Sequence, residues 1–157
     1  MKAKPIPEGC HAITPYLQVP DAARLIEFLK RAFGGVEHAR ITGPDGKVMH
    51  AQVRIGDSLV MVGEPHDQQP ARSVMLYHYV VDVEATYKQA LAAGAESLFA
   101  PMNMFYGDRV ACVKDFAGNN WSIATHIEDV SLEEIQKMMV AFRQQAPKNP
   151  AAAPASV

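Results

Sequence analysis

The sequence predicts an α+β fold built from two tandem β-α-β-β-β units and closed by a C-terminal helix. Three observations lead there. A strand, a capped helix and a glycine stop follow one another in the same order twice. Two hairpins come after them, with turn glycines Gly56 and Gly118 lying 62 residues apart. The tripeptides Leu17-Gln18-Val19 and Tyr79-Val80-Val81 match at that same offset. A fixed period of this size is the mark of an internal duplication.

Taken in order, His11 to Val19 (HAITPYLQV) reads as a strand interrupted near its start by Pro15. Asp21 follows, a residue whose carboxylate accepts a backbone N–H of a first helical turn. The helix Ala22 to Phe33 places Ala22, Ile26, Leu29 and Phe33 on one stripe, and Gly34-Gly35 ends it. Val36 to Thr42 is a strand, and Gly43-Pro44-Asp45-Gly46 has turn chemistry. In Val48 to Glu64 (VMHAQVRIGDSLVMVGE), His50, Gln52 and Arg54 alternate with Ala51, Val53 and Ile55. Alternation of this kind gives a strand one polar and one apolar face. Gly56-Asp57 breaks it, and Leu59 to Val62 returns as the second arm of a hairpin.

Glu64 to Arg72 is a polar connector, and the pattern restarts. Ser73 to Val81 is a strand, Asp82 a cap, and Val83 to Ala93 a helix with Val83, Tyr87, Ala90 and Leu91 on its inner stripe. Gly94 ends that helix. GDRVACVKD, the turn Ala117-Gly118-Asn119 and NWSIATH form the second hairpin. Ser131 to Glu134 is a capping box, in which serine and glutamate satisfy each other's free N–H groups. The helix behind it carries Leu132, Ile135, Met138, Met139 and Phe142 on one face, a stripe that must bury itself on the domain or on a second chain. The expected organisation is one domain over residues 1–146, with module one at about 9–64, module two at about 73–127 and the last helix at about 131–145. Residues 147–157 (KNPAAAPASV and the proline-bounded lead into it) have nothing to pack and are expected to be a disordered tail.

Composition narrows the function classes. With 48% hydrophobic and 20% charged residues, the 157-residue chain can bury a substantial core. A formal net charge of −2 offers no basic field to nucleic acid or to an anionic membrane. No apolar run approaches the length of a bilayer span. The opening MKAKPIPEGCHAITPYL has prolines and a glutamate where a secretory segment needs apolar residues. Its two cysteines, Cys10 and Cys112, have no CxxC spacing, so a cytoplasmic protein with reduced thiols is expected. There is no Gly-rich phosphate loop, GxSxG elbow or HExxH motif.

These residues carry a family resemblance. The two β-α-β-β-β units, with PYLQVPDAARLIEFLKRAFGG opening the first, resemble the vicinal oxygen chelate superfamily of glyoxalases, bleomycin-resistance proteins and dioxygenases. VMHAQVRIGDS, FYGDR and DFAGNNWSIATHIED resemble its PhnB-like glyoxalase branch. Two departures stand out: Asp115-Phe116-Ala117-Gly118 where the branch reads Asp-Pro-Phe-Gly, and Tyr106 where tryptophan is common. The resemblance implies glyoxalase-like, mostly antiparallel sheets that curl into U-shaped troughs, with paired units enclosing a cavity. It also implies four metal-ligand positions, which carried over onto this chain fall on Thr14, Met61, Leu76 and Ser122. Met and Leu cannot bind a hard divalent ion, and neutral hydroxyls are weak ligands. On that register no cofactor is expected. Sliding two residues along each strand keeps the same face and brings in Tyr16, His78 and His126, which leaves a divalent metal open.

Six residues are candidates for ligand binding. His50 and Gln52 are either hydrogen bonders lining the trough or the solvated face of a sheet. His78, between two tyrosines, is either a ligand contact or a core histidine. Arg109, with Asp108, either clamps an anion or forms an ion pair that fixes its loop. Tyr106, beside Phe105, is a wall or lid; Trp121 is a stacking surface or part of the core. His126 reads as a capping or solvated residue, and Cys112 as a small buried hydrophobe. The first expectation is therefore a metal-free small-molecule binding protein of glyoxalase/bleomycin-resistance type, forming a homodimer and engaging neither nucleic acid nor membrane. The alternative is a metal-dependent lyase, isomerase or dioxygenase of the same superfamily.

Overall fold

Asp21 and Glu64 together start the first helix. The structure, a computed structural model, describes residues 3–145; the expected tail at 147–157 lies outside them. Strand β1 (Tyr16–Gln18) leads to helix α1 (Ala22–Phe33), whose N-terminal N–H groups have no partner within the helix. Asp21, the only non-glycine residue with positive φ among the described residues (60°), accepts from the Arg24 amide. The Glu64 carboxylate accepts from the amides of Asp21 and Ala22 at 3.2 and 2.8 Å. The apolar stripe is wider than its four expected members, since Leu25, Phe28 and Ala32 are also buried. Leu25, Ile26 and Leu29 are fully removed from water, each contributing about 1.5–3 kcal/mol by the usual transfer scale.

The remaining strands of the first module are β2 (Val36–Thr42), β3 (Val48–Ile55) and β4 (Ser58–Gly63). They form a four-stranded sheet in the order β1-β4-β3-β2, with β1 parallel to β4 and the rest antiparallel. The second module repeats this with β5 (Met75–Tyr79), α2 (Val83–Ala92), β6 (Glu96–Asn103), β7 (Asp108–Lys114) and β8 (Asn120–His126), in the order β5-β8-β7-β6. Asp82 caps α2 by accepting from the Ala85 amide. Both outer strands, β2 and β6, are interrupted by register shifts. Among the described residues no helix is long and apolar enough to cross a membrane.

Each sheet has one face against its helix. On it lie Leu17, Ala51, Val53, Val60 and Val62 in module one, and Ala111, Val113, Trp121 and Ile123 in module two. The modules meet through their helices, α1 against α2, with Phe33 at the end of α1 reaching His78 and Trp121. Helix α3 (Leu132–Gln145) starts in the expected capping box, with Ser131 Oγ accepting from the Glu134 amide and Glu134 Oε2 accepting from the Ser131 amide. Among the described residues it makes no extensive contact with the other elements, and Leu132, Met138, Met139 and Val140 stay exposed.

The duplication is real in topology, but its phase differs from the matched tripeptides. The N-caps Asp21 and Asp82 are 61 residues apart, as are Val62 and Ile123, the partners of Leu17 and His78. Leu17 therefore corresponds to His78, not to Tyr79. The 62-residue spacing of Gly56 and Gly118 arises because a two-residue turn joins Ile55 to Ser58, whereas five residues separate Lys114 from Asn120. A shift of one residue along a strand moves a side chain to the opposite face.

Candidate functional site

The faces turned away from the helices carry the chemistry. In module one, Tyr16, Met61, Gln52 and His50 lie side by side across β1, β4 and β3, since Tyr16 pairs with Met61 and Met61 with Gln52. His50 Nδ1 is 3.2 Å from the Tyr16 hydroxyl, and the Gln52 amide nitrogen is 3.4 Å from His50 Nε2. If Gln52 donates to Nε2, Nδ1 carries the proton and donates to Tyr16, a self-consistent chain. Arg54, next on the same face, donates from Nε to His38 Nε2 at 3.1 Å and makes no ion pair among the described residues.

In module two the open face holds Tyr77, Tyr79, Ser122, Cys112 and Asp108. Asp108 is buried, and its two oxygens are fully used. Oδ1 faces His126 Nδ1 at 2.8 Å, and Oδ2 accepts from the hydroxyls of Tyr79 at 2.8 Å and Tyr77 at 3.3 Å. His126 Nε2 reaches Asp129 at 3.0 Å, and Tyr77 meets the Tyr106 hydroxyl at 3.3 Å. Burial alone would push the Asp108 carboxyl up, but bonds from His126, Tyr79 and Tyr77 outweigh it and hold the group below its ordinary value. Its hydrogen bonds to Asp108, then to Asp129, raise His126 above its ordinary value. Burial, then the Tyr106 contact, raises Tyr77.

The six candidates separate into three places. His50 and Gln52 sit together on the module-one open face. Tyr106 joins the tyrosine group of module two. His78 and Trp121 lie on the other side of their strands, towards the helices, together with Leu76. Trp121 is 2% exposed, and its Nε1 donates to Asp115 Oδ2 at 3.0 Å. Asp115 also accepts from the Ala117 and Asn119 amides and from the Asn119 side chain, which fixes the β7–β8 turn. Arg109 faces α2, where it pairs with Glu84 at 2.7 Å and donates to Asn103. Adjacent strand residues point to opposite faces, so Asp108 and Arg109 cannot act as one clamp. The group built on Tyr77, Tyr79, Asp108 and His126 was missed as a site, and so was the unpaired charge of Arg54. Only the alternation of Arg54 with His50 and Gln52 gave a signal.

The corrected phase also moves one carried-over metal position, from Leu76 to Met75, which lies 61 residues after Thr14. Tyr16 pairs with Met61 and Tyr77 with Ser122, while Leu76 points to the helix side and Thr14 lies before β1, bonded to the His11 carbonyl. His78 is on the helix side as well, so the two-residue slide does not bring it to the open face. Thioethers at Met61 and Met75 and hydroxyls at Thr14 and Ser122, with phenols at the neighbouring Tyr16 and Tyr77, do not suit a hard divalent ion. No group of three or more His, Cys, Asp or Glu among the described residues is arranged to hold one.

Comparison with known proteins adds the wider context. Residues 10–123 match the family model of the Glyoxalase/Bleomycin resistance protein/Dioxygenase superfamily. An uncharacterized protein of Mycobacterium bovis, Mb0911c, is 36% identical over 139 residues, covering 82% of this chain and 91% of that one. Among solved structures, TioX from Micromonospora sp. ML1 superposes with a TM-score of 0.63 at 27% identity, over 74% of this chain and 99% of that one. TnmS3, an antibiotic binding protein from Streptomyces sp. CB03234, gives 0.59 at 22% identity, over 74% and 98%.

Proposed function

The chain belongs to the glyoxalase/bleomycin resistance protein/dioxygenase superfamily, and on that premise we propose that it is a metal-free small-molecule binding protein of the PhnB-like branch, working as a cytoplasmic homodimer. One observation carries the reading: the positions that the resemblance implies for the superfamily's metal carry Thr14, Met61, Met75 and Ser122, with Tyr16 and Tyr77 paired beside Met61 and Ser122, a set better suited to an organic molecule than to a cation. Phenol, amide and imidazole groups at Tyr16, Gln52 and His50 supply orientation by hydrogen bonding, and the tyrosines of module two supply flat apolar area. Pockets for organic ligands combine these two features. That TnmS3 binds an antibiotic illustrates the class of occupant expected.

Unburied apolar surface supports dimerisation. Val36, Ile41, Met75, Tyr77, Tyr79 and Met102 stand exposed on the open faces, and patches of this kind favour association. A partner chain would cover them and turn each open face into a trough wall.

The test is His50→Ala, screened with its parent for ligand-induced shifts in melting temperature across a panel of aromatic and carbonyl-bearing metabolites. Only native-state binders stabilise. Affinity for a hit should fall about ten-fold, with little change in the melting temperature of the free protein. Unchanged affinity alongside a clear fall in stability would place His50 in the framework instead. Stoichiometric Zn, Ni, Fe or Mn in protein purified without chelator would overturn the metal-free part and restore the lyase, isomerase or dioxygenase alternative.

A further inference from the structure

Between the modules lies a cleft of about 480 Å³ that the proposed function does not use. Its walls are the β3–β4 turn, the segment around Ile13 and the free edge of β5. Ile55, Leu59, Leu76 and Trp121 make it largely apolar, and His78 sits among them. It lies across β5 from the module-two open face. The two regions meet only where Tyr77 and Tyr79 border the strand edge.

The His78 ring packs edge-on to Phe33, centroids 5.1 Å apart. Its Nδ1 is sealed from solvent with no hydrogen-bond partner, whereas Nε2 is not sealed and makes no hydrogen bond among the described residues. Burial lowers the tendency of this imidazole to protonate, so the ring carries one proton. Orphaned N–H groups in protein interiors are rarer than under-satisfied acceptors. The proton therefore belongs on Nε2, which presents a single donor inside an apolar cleft. Asp57, at the rim, is engaged by the Ser58 hydroxyl at 2.9 Å and is exposed to water. His11, another lining residue, is exposed to water, and the Tyr77 and Tyr79 hydroxyls are turned to Asp108.

We infer that this cleft is a second binding site, for an uncharged, flat, largely apolar molecule whose carbonyl or ether oxygen accepts from His78 Nε2–H while its ring lies against Leu76, beside the narrow edge of Trp121 that reaches the cleft. The volume falls within the range of small-molecule sites, about 300–1,000 Å³. One hydrogen bond then discriminates between ligands that have the oxygen and those that lack it.

Trp121 is the chain's only tryptophan, so its indole N–H resonance is a single, assignable reporter beside the cleft. The full-length protein is titrated with 1-indanone and, separately, with indane, the same framework without the oxygen. Indanone should shift the Trp121 signal saturably and bind about five-fold more tightly than indane, the worth of one neutral hydrogen bond. His78→Leu should erase that preference while retaining indane binding. His50→Ala, on the open face, should leave the titration unaltered. No saturable shift, equal binding of the two probes, or loss of binding in His50→Ala would overturn the inference, the last by placing the probe in the open-face site. Should His78→Leu fail to fold, the ¹⁵N shifts of His78 in the unaltered protein decide. A ring protonated on Nδ1 would overturn the inference, and one protonated on Nε2 alone would support it.

Discussion

Asp108 is 3% exposed yet stays ionised, because both oxygens are met by donors from three other positions: His126, Tyr79 and Tyr77. Its bond to His126 makes stability depend on pH. The folded-state pKa of His126 is raised above 6.5, so its contribution is complete below that value and fades as pH rises through the raised one. For Asp108 the folded value is lowered below 3.8, so that contribution holds above 3.8 and fades only in stronger acid. Both are in place from about pH 4 to about pH 6.5. His126→Gln should therefore lower the melting temperature most at pH 5.5, with the gap narrowing by pH 8.5, as thermal unfolding across that range will show. A gap independent of pH would assign His126 to loop packing alone. This group was hard to read because SVMLYHYVV is apolar or aromatic almost throughout. Without polar–apolar alternation, nothing in the strand says which face Tyr77 and Tyr79 take. By contrast, MHAQVRI alternates cleanly, and His50 and Gln52 came out on the face expected of them.

The elements were legible where their ends are chemically marked. Asp21, Asp82 and Ser131 each sit at a helix start, and Gly34 and Gly94 follow helix ends. What local pattern could not reveal is that α1 is capped from a distance. Glu64, 42 positions beyond Ala22, accepts two of its first N–H groups, whereas Asp82 serves α2 locally. Glu64→Ala should cost about 1–2 kcal/mol in urea unfolding, because two donors lose their acceptor and the helix loses a carboxylate at its positive end. Asp82→Ala should cost about 1 kcal/mol. Equal or smaller losses at Glu64 would show that water replaces its carboxylate there without penalty.

At the scale of the molecule, the helices pack together and both open faces point away from that junction. The two open faces differ in chemistry: Arg54, His38 and His50 line one, and three phenols surround the buried Asp108–His126 pair on the other. A ligand held between unlike faces of two chains would meet both. Light scattering should give twice the 17.2 kDa chain mass, and Tyr79→Asp, at a position 61% exposed, should shift the equilibrium towards single chains. A single-chain mass for the unaltered protein would remove the dimer from the proposal. The repeat itself was visible in glycines and caps, but its phase was not. Turn glycines mark loop geometry, which tolerates extra residues, and only strand pairing reports the true correspondence.

That difference in length between the halves has a practical side. Helix α1 has 12 residues and α2 has 10, the hairpin turns span two and five, and β2 and β6 both carry irregular pairing, while β1–β4 and β5–β8 keep one spacing. Differences in length between the halves therefore fall in the helices, the hairpin turns and the pairing of β2 and β6, and leave the β1–β4 and β5–β8 pairs in one register. Epitopes, reporter peptides or cross-linking handles grafted at the β3–β4 tip or along β2 or β6 should leave the β1–β4 and β5–β8 pairs undisturbed.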